Sequence, residues 1–472
     1  MRTMTILAGL IGLAFHSFSQ NQCLERSFGE GIGFTDGYDV LATSDLGALL
    51  IGARGMQDLE NAQDPWLIKV DDQFEEIWDV QLDFAQEGAW DFAITAIEVS
   101  NGYLILGNYN DPNTFFSNSS LLLIDFDGNI IWSKILSSPN EEIIYSAISK
   151  QVNTGNFVLF GVRGNQFSMR AFDASGEELW EQSYPGNAPF ATQWMGDLLE
   201  TSSGHFLATL SSNQQTALIK TDAAGNSLWT KELEGVAGMR IQETNEGNFV
   251  LLTSEYSDGN LIADDYVITL NSNGEILSNI SIPDDWVHSV RDLVIDANGD
   301  VYLSGMNTIP LEGVVIKMDA AGDSIWTKSF RPKPTSDFVG ISFDGVDLSE
   351  AYLYVNGAAW IPLTANFKTP AYQYGVRIPV GSSAPSQTTQ VKSPKELQIS
   401  PNPASTWTHI QLPKELSGTI ELRIYNSAGQ LLRKEKRNAE NGHLLRGQLP
   451  AGLYYLQLQQ KANIWRSRIV FN

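Results

Sequence analysis

The sequence predicts an all-β protein: a seven-bladed β-propeller of four-stranded antiparallel blades, followed by a small β-sandwich. Three observations carry this. Glycine-bearing turns recur about every fifty residues, short apolar runs fill the intervals between them, and no stretch combines sustained helical periodicity with caps.

The repeat is read from DGNIIW (Asp127 to Trp132), SGEELW (Ser175 to Trp180), AGNSLW (Ala224 to Trp229) and AGDSIW (Ala321 to Trp326), with NGEILS from Asn273 as a degenerate copy. The turn glycines Gly128, Gly176, Gly225, Gly274 and Gly322 lie 48, 49, 49 and 48 residues apart. An earlier copy, DDQFEEIW from Asp71, carries Phe74 in place of the glycine. The fourth unit divides into GDLLETSSG, HFLATLS, ALIKTDAAG and NSLWTKEL, four apolar runs joined by turns, as one four-stranded sheet requires. Second strands follow a glycine or close on one in ALLIG, YLILG, NFVLFG, HFLATL, NFVLL, DVYLSG and AYLYVNG, which makes seven units. The seventh supplies only three runs, while the chain ahead of the first unit offers LERSF from Leu24, similar to WTKSF and WEQSY. Leu24–Phe28 is therefore expected to be the outer strand of the last blade, joining the ends of the domain.

At the N-terminus, Arg2, an apolar run from Ile6 to Phe15 and the triplet Ser17-Phe18-Ser19 read as a secretory signal peptide over residues 1–19, too short in its apolar core to span a membrane. The propeller is assigned to 20–380, a Ser, Thr, Gln and Pro-rich linker to 381–396, and the second domain to 397–472. Charge supports the division. Residues 391–472 hold 12 Lys and Arg against 5 Glu, net +7, which leaves −32 of the total −25 on the remainder. That acidity argues against nucleic acid and anionic lipid as partners. One cysteine, Cys23, excludes an internal disulfide and a thiolate zinc site.

The D-x-x-G-x-x-L-W pattern, as in Asp222 to Trp229, resembles the PQQ-like, tryptophan-docking propeller family over about three quarters of the chain. The resemblance implies that Trp132, Trp180, Trp229 and Trp326 pack between neighbouring blades. Seven units and a single cysteine count against a bound quinone, and no cofactor is expected. The C-terminal segment resembles the type A sorting domain of the Bacteroidota type IX secretion system, on SPNPAST from Ser400, IELRIYNSAGQLL from Ile420, LPAGLYY from Leu449 and RSRIVFN at the end. Pro401, Asn402, Pro403, Gly429, Gly452 and Tyr454 fall on its motif positions. The resemblance implies export through the periplasm to the surface or medium, with the type IX machinery as partner.

Chemistry is sparse. His205 follows a turn glycine, where a strand-edge role is expected, and His288 stands beside Trp286; no His spacing marks a metal site and none is expected. The turns at Asp125 to Asn129 and Asp296 to Asp300 alternate oxygen ligands but lack the rest of a calcium loop, so Asp and Asn are read there as turn residues. Blade loops of unequal length, at Ala53–Pro65, Asn108–Ser119, Ser254–Asp264 and Ala358–Ala371, mark one face as variable. On that side an aromatic precedes each innermost strand, with acids beside it. The candidate ligand-binding residues are Tyr38, Asp39, Trp90, Asp91, Tyr145, Trp194, Asp197, Trp286 and Phe338, with Met239 in the fifth unit and Asp36, Asp284, Asp285 and Asp337 nearby. Flat rings with carboxylates suit sugars or cations at a channel mouth; rings repeated in every blade also suit packing between blades, the reading that periodicity favours. Three functions fit: a binding or adhesion module for glycan or protein, a polysaccharide hydrolase or lyase using carboxylates such as Asp264-Asp265 or Asp284-Asp285, and a scaffold for outer-membrane assembly.

Overall fold

The computed structural model describes residues 23–29, 35–55, 63–84, 91–110, 117–138, 140–184, 196–212, 215–234, 237–255, 264–283, 286–308, 311–331, 340–360, 371–380, 395–397, 399–412, 418–426, 431–438, 442–460 and 463–472. Among these every regular element is a β-strand. The signal segment 1–19, Trp90, Trp194, Phe338, Asp284, Asp285, Asp337 and Gly429 lie outside the described residues.

The propeller portion is a succession of four-stranded antiparallel sheets. They occupy residues 35–81, 91–136, 143–184, 196–234, 237–281 and 289–330, each in simple up-and-down order. The second and third meet at one parallel bridge, Ile143 to Asn118. The last sheet takes three strands from 340–379 and its fourth from Leu24–Phe28, which pairs antiparallel with Ala371–Pro379, Leu24 opposite Arg377 and Phe28 opposite Gln373. First strands lie against one another in sequence order, and Gly340–Leu348 lies against both Ser289–Ile295 and Thr35–Ala42.

Local sequence explains each unit. In the D-x-x-G turns the leading carboxylate caps its own backbone: Asp125 Oδ1 accepts the N–H of Asp127 at 3.0 Å and of Asn129 at 2.8 Å, and Asp222 and Asp319 repeat the pattern. The glycine that follows has positive φ, +79° at Gly225 and +72° at Gly274. The same glycines receive the preceding unit's tryptophan. A Cβ at Gly225 would stand 2.6 Å from the Trp180 ring, and one at Gly274 would stand 2.8 Å from Trp229. In the degenerate fifth unit, Ile280 fills that role against Gly322. Trp78 adds a hydrogen bond from Nε1 to the Phe126 carbonyl at 2.9 Å. Burial follows: inner strands are almost wholly enclosed, whereas the fourth strands expose Ile77, Leu179, Leu228 and Ile325.

The C-terminal portion is a sandwich. One sheet orders strands Lys395–Glu396, Asn463–Phe471, Gly452–Gln460, Thr419–Asn426 and Leu431–Asn438; the other holds Ile399–Ser400, Trp407–Ile410 and His443–Leu445. Period-two alternation sends Ile420, Leu422 and Ile424, with Tyr454, Leu456 and Leu458, into a core shared with Ile410 and Leu444 of the second sheet.

Candidate functional site

Six of the first strands are bulged at one level, between Gly37 and Asp39, Ala93 and Thr95, Tyr145 and Ala147, Gly238 and Arg240, Val290 and Asp292, and Phe343 and Gly345. The bulge presses a first-strand carbonyl into the second strand. A Cβ at Gly161 would meet the Ile144 carbonyl oxygen at 2.1 Å, and one at Gly357 would meet that of Ser342 at 1.9 Å, which is why the second-strand runs of the third and last sheets end on glycine.

In the first, fifth and sixth sheets the residue after the bulge is charged, Asp39, Arg240 and Asp292, and there the units meet. Arg240 of the fifth sheet donates from Nε to Asp292 Oδ1 of the sixth at 2.6 Å, and its Nη2 stands 3.5 Å from Asp39 Oδ1 of the first. Asp197 of the fourth sheet is held beside it, Oδ2 accepting the Ile241 N–H at 2.9 Å. Asp292 Oδ2 accepts the Val346 N–H of the last sheet at 2.8 Å, and Asp347 Oδ2 accepts the Ala42 N–H of the first at 2.8 Å. Each carboxylate thus staples its sheet to another.

Burial and mutual repulsion govern these charges. Desolvation pushes the Asp39 carboxyl up to about 6, against the pull of Arg240, and the Asp347 carboxyl to about 7. Asp197 is raised for the same reason. Arg240 is held charged by Asp292, Asp39 and Asp197, which outweigh the cost of its own burial. Nearby, Asp36 is pushed to about 7 by burial and by Asp344, itself raised by burial; burial first, and then both carboxylates, raise the Tyr38 hydroxyl. Arg291 Nε lies 3.9 Å from Asp344, and Ser342 donates to that carboxylate at 3.0 Å.

The structure therefore sorts the sequence-predicted residues. Asp39 and Asp197 converge with Arg240. Tyr38 is half-buried beside Asp36 and Asp344. Trp286 is half-buried and packs on the core between the fifth and sixth sheets, where Met239 is buried as well. Tyr145 is corrected: expected at an open mouth, it is wholly buried, its hydroxyl 3.2 Å from Ser168 Oγ, because the side chain falls on the face that packs against the neighbouring sheet. Asp91 is likewise enclosed and accepts the Phe84 N–H at 2.9 Å. Asp264 and Asp265 stand in different environments. Asp264 is exposed, whereas Asp265 is buried, accepts the Val290 N–H at 2.6 Å and is pushed by burial to about 6. At the other turn weighed for calcium, Asp296 Oδ1 accepts two backbone N–H groups and Lys317 neutralises Asp296 and Asp300. His205 closes its turn through backbone hydrogen bonds with Thr201, and His288 is buried. Among the described residues no three His, Cys, Asp or Glu side chains converge as a metal site.

Sequence reasoning missed Arg240, Asp292 and Asp347. The available signal was repeat alignment, which sets Asp39, Asp197, Arg240 and Asp292 at one position. In the sandwich, Asn402 Oδ1 accepts the Val470 N–H at 2.9 Å, the Pro401 carbonyl accepts Thr408 Oγ1 at 2.7 Å, and the Tyr454 hydroxyl donates to the Pro450 carbonyl at 2.7 Å. The PNP and GLYY motifs thus tie the last strand into the sandwich.

Residues 398–472 match the family described as the secretion system C-terminal sorting domain. The protein is exported by type IX secretion to the cell surface or beyond it. Its tail engages the secretion machinery, and no described helix is long and apolar enough to cross a membrane. No curated protein matches the chain. Similar solved structures include a protein of unknown function from Bacteroides caccae (15% identity, 60% of this chain and 94% of that one, TM-score 0.40). Others are the β-propeller domain of the trilobed protease from Pyrococcus furiosus (10%, 73% and 93%, 0.42) and the polysaccharide lyase Uly1 (10%, 73% and 90%, 0.44).

Proposed function

We propose that the mature protein is a binding module: a closed, seven-bladed propeller of the tryptophan-docking kind, spanning 20–380, delivered by a signal peptide over 1–19 and carried outward by the tail after the 381–396 linker. The observation that carries this reading is the Arg240 cluster. A guanidinium from the fifth sheet that reaches carboxylates of the first and sixth supports a reading in which those sheets face one axis, filled by charges that hold the sheets together. Binding is then assigned to the variable-loop face, where Tyr38 and Trp286 are half-buried and acids stand close by. Glycan or protein is the ligand class; the excess of acid disfavours polyanions. Probing a glycan and polysaccharide array with the mature chain, alongside a Trp286→Ala variant, tests it. The expected result is a discrete set of ligands that the variant loses. Equal binding by both proteins removes Trp286 from the site, and a blank array directs the search to protein ligands.

A second reading, a hydrolase or lyase, is favoured by Asp36 and Asp344, two carboxyls with raised pKa beside Tyr38. Asp36→Asn would then abolish product formation from a bound polysaccharide while leaving binding intact.

A further inference from the structure

The smaller sheet of the sandwich pairs two histidines that lie far apart in sequence. His409 stands opposite His443, and Trp407 opposite Leu445, on antiparallel strands. The Ile410 N–H donates to the Gly442 carbonyl at 2.8 Å, and the Arg446 N–H donates to the Thr406 carbonyl at 2.9 Å. Those bonds identify Ile410 with Gly442, and Thr406 with Arg446, as hydrogen-bonded pairs. The register then makes His409 and His443 a non-hydrogen-bonded pair, the kind in which opposed side chains come closest. Thr408 and Leu444 point inward and are fully buried, while both histidines are exposed on the outer face.

Their ring centroids are 5.3 Å apart with planes inclined at 70°. An imidazole nitrogen binds Zn²⁺ at about 2.0–2.1 Å, which puts the ring centroid about 3.2 Å from the ion, and two such rings at a tetrahedral angle lie about 5.2 Å apart. The observed edge-to-face contact holds the two rings at a centroid separation that one bridging ion can span. The rings are also positioned. Trp407 packs against His443 with centroids 5.5 Å apart, and the His409 ring lies over Gly442, where a Cβ would stand 2.3 Å from the Ile410 carbonyl oxygen and 2.7 Å from His409 Cε1.

We propose that His409 and His443 form a cross-strand site for a borderline divalent transition ion such as Zn²⁺, with water completing its coordination. The chemistry of the donors selects this class. Two imidazole nitrogen donors suit Zn²⁺, Ni²⁺ or Cu²⁺. Hard cations that depend on carboxylate oxygen, Ca²⁺ and Mg²⁺, find no matching donors in this pair.

Titration calorimetry of the mature, full-length chain with Zn²⁺ tests the site, with Ca²⁺ as competitor. One saturable Zn²⁺ site is expected, unaffected by excess Ca²⁺. His409→Ala and His443→Ala should each weaken it by at least ~10-fold, because one remaining imidazole loses the effective concentration supplied by its neighbour. His205→Gln should leave it unchanged. Both paired rings are exposed, so the substitutions remove no core packing, and an unaltered melting profile without metal checks that. Absence of Zn²⁺ binding by the parent chain, or parent-like binding by the doubly substituted protein, overturns the proposal.

Discussion

The two folded portions of this chain bury charge in opposite ways. In the sandwich the core is apolar, built from alternating residues of two facing sheets, and Thr408 is the fully buried polar residue among those described there. In the propeller portion Asp39, Asp91, Asp265, Asp292, Lys69, Lys220, Lys328 and Arg377 are all buried. The difference follows from construction. A sandwich closes when two apolar faces meet, and hydrophobic burial alone specifies the fit. A blade is a repeat whose inner edge meets other blades edge to edge, leaving backbone N–H groups that need acceptors. Asp197, Asp292 and Asp347 are those acceptors, and Arg240 offsets the charge they bring.

This contrast is open to attack, beginning with the largest effect. Deleting residues 398–472 should abolish export completely while the propeller stays folded in the periplasm, as cell fractionation and proteolysis of the retained protein would show. Appearance of the truncated protein outside the cell would contradict the role of the tail. Next, removing residues 20–29 takes away the strand at Leu24–Phe28 and the buried Phe28, and should lower propeller stability by at least ~4 kcal/mol in denaturant unfolding. The sandwich transition should not move. A smaller but sharper loss is expected for Arg240→Leu. It strands the carboxylates of Asp39 and Asp292, and breaking a buried pair from one side costs roughly 3–5 kcal/mol. Adding Asp292→Asn to that variant should recover part of the loss, which a mere packing defect would not allow.

The smallest effect is on pH dependence. Asp39, Asp36 and Asp347 hold their protons more tightly folded than unfolded, with folded values of about 6, 7 and 7 against an ordinary carboxylate near 4. Their stabilising contribution is therefore complete below about pH 4 and is lost as pH rises through 6 to 7. The propeller transition should be more stable at pH 5 than at pH 8, and Asp36→Asn should flatten that slope by ~1–2 kcal/mol. In the sandwich Arg433 and Arg437 stabilise the ionised Glu435, whose pKa is lowered, so its contribution is present at both pH values and is lost only under more acidic conditions. A propeller stability that rises from pH 5 to pH 8 would show that these carboxyls are ionised in the fold without penalty.

The sequence by itself determined everything that repeats or lies close along the chain. The D-x-x-G turns and the tryptophans that reach the next unit's glycine were legible because they rest on contacts at fixed spacing; the strand at Leu24–Phe28 was legible because LERSF copies the fourth-strand run that the seventh unit lacks, and the PNP-to-GLYY sandwich because its motifs come in a set order. Only the tertiary structure decided the axis and the surface pair. Arg240 is 52 residues from Asp292 and 201 from Asp39, and its role exists only once the sheets stand face to face. Tyr145 shows the same limit from the other side: it was expected just ahead of an innermost strand but lies within it, at Ile143–Lys150, and the sheet face it occupies was set by packing, which buried it. His409 and His443 lack any spacing motif, since strand register is fixed by the fold's core and not by the residues it happens to oppose.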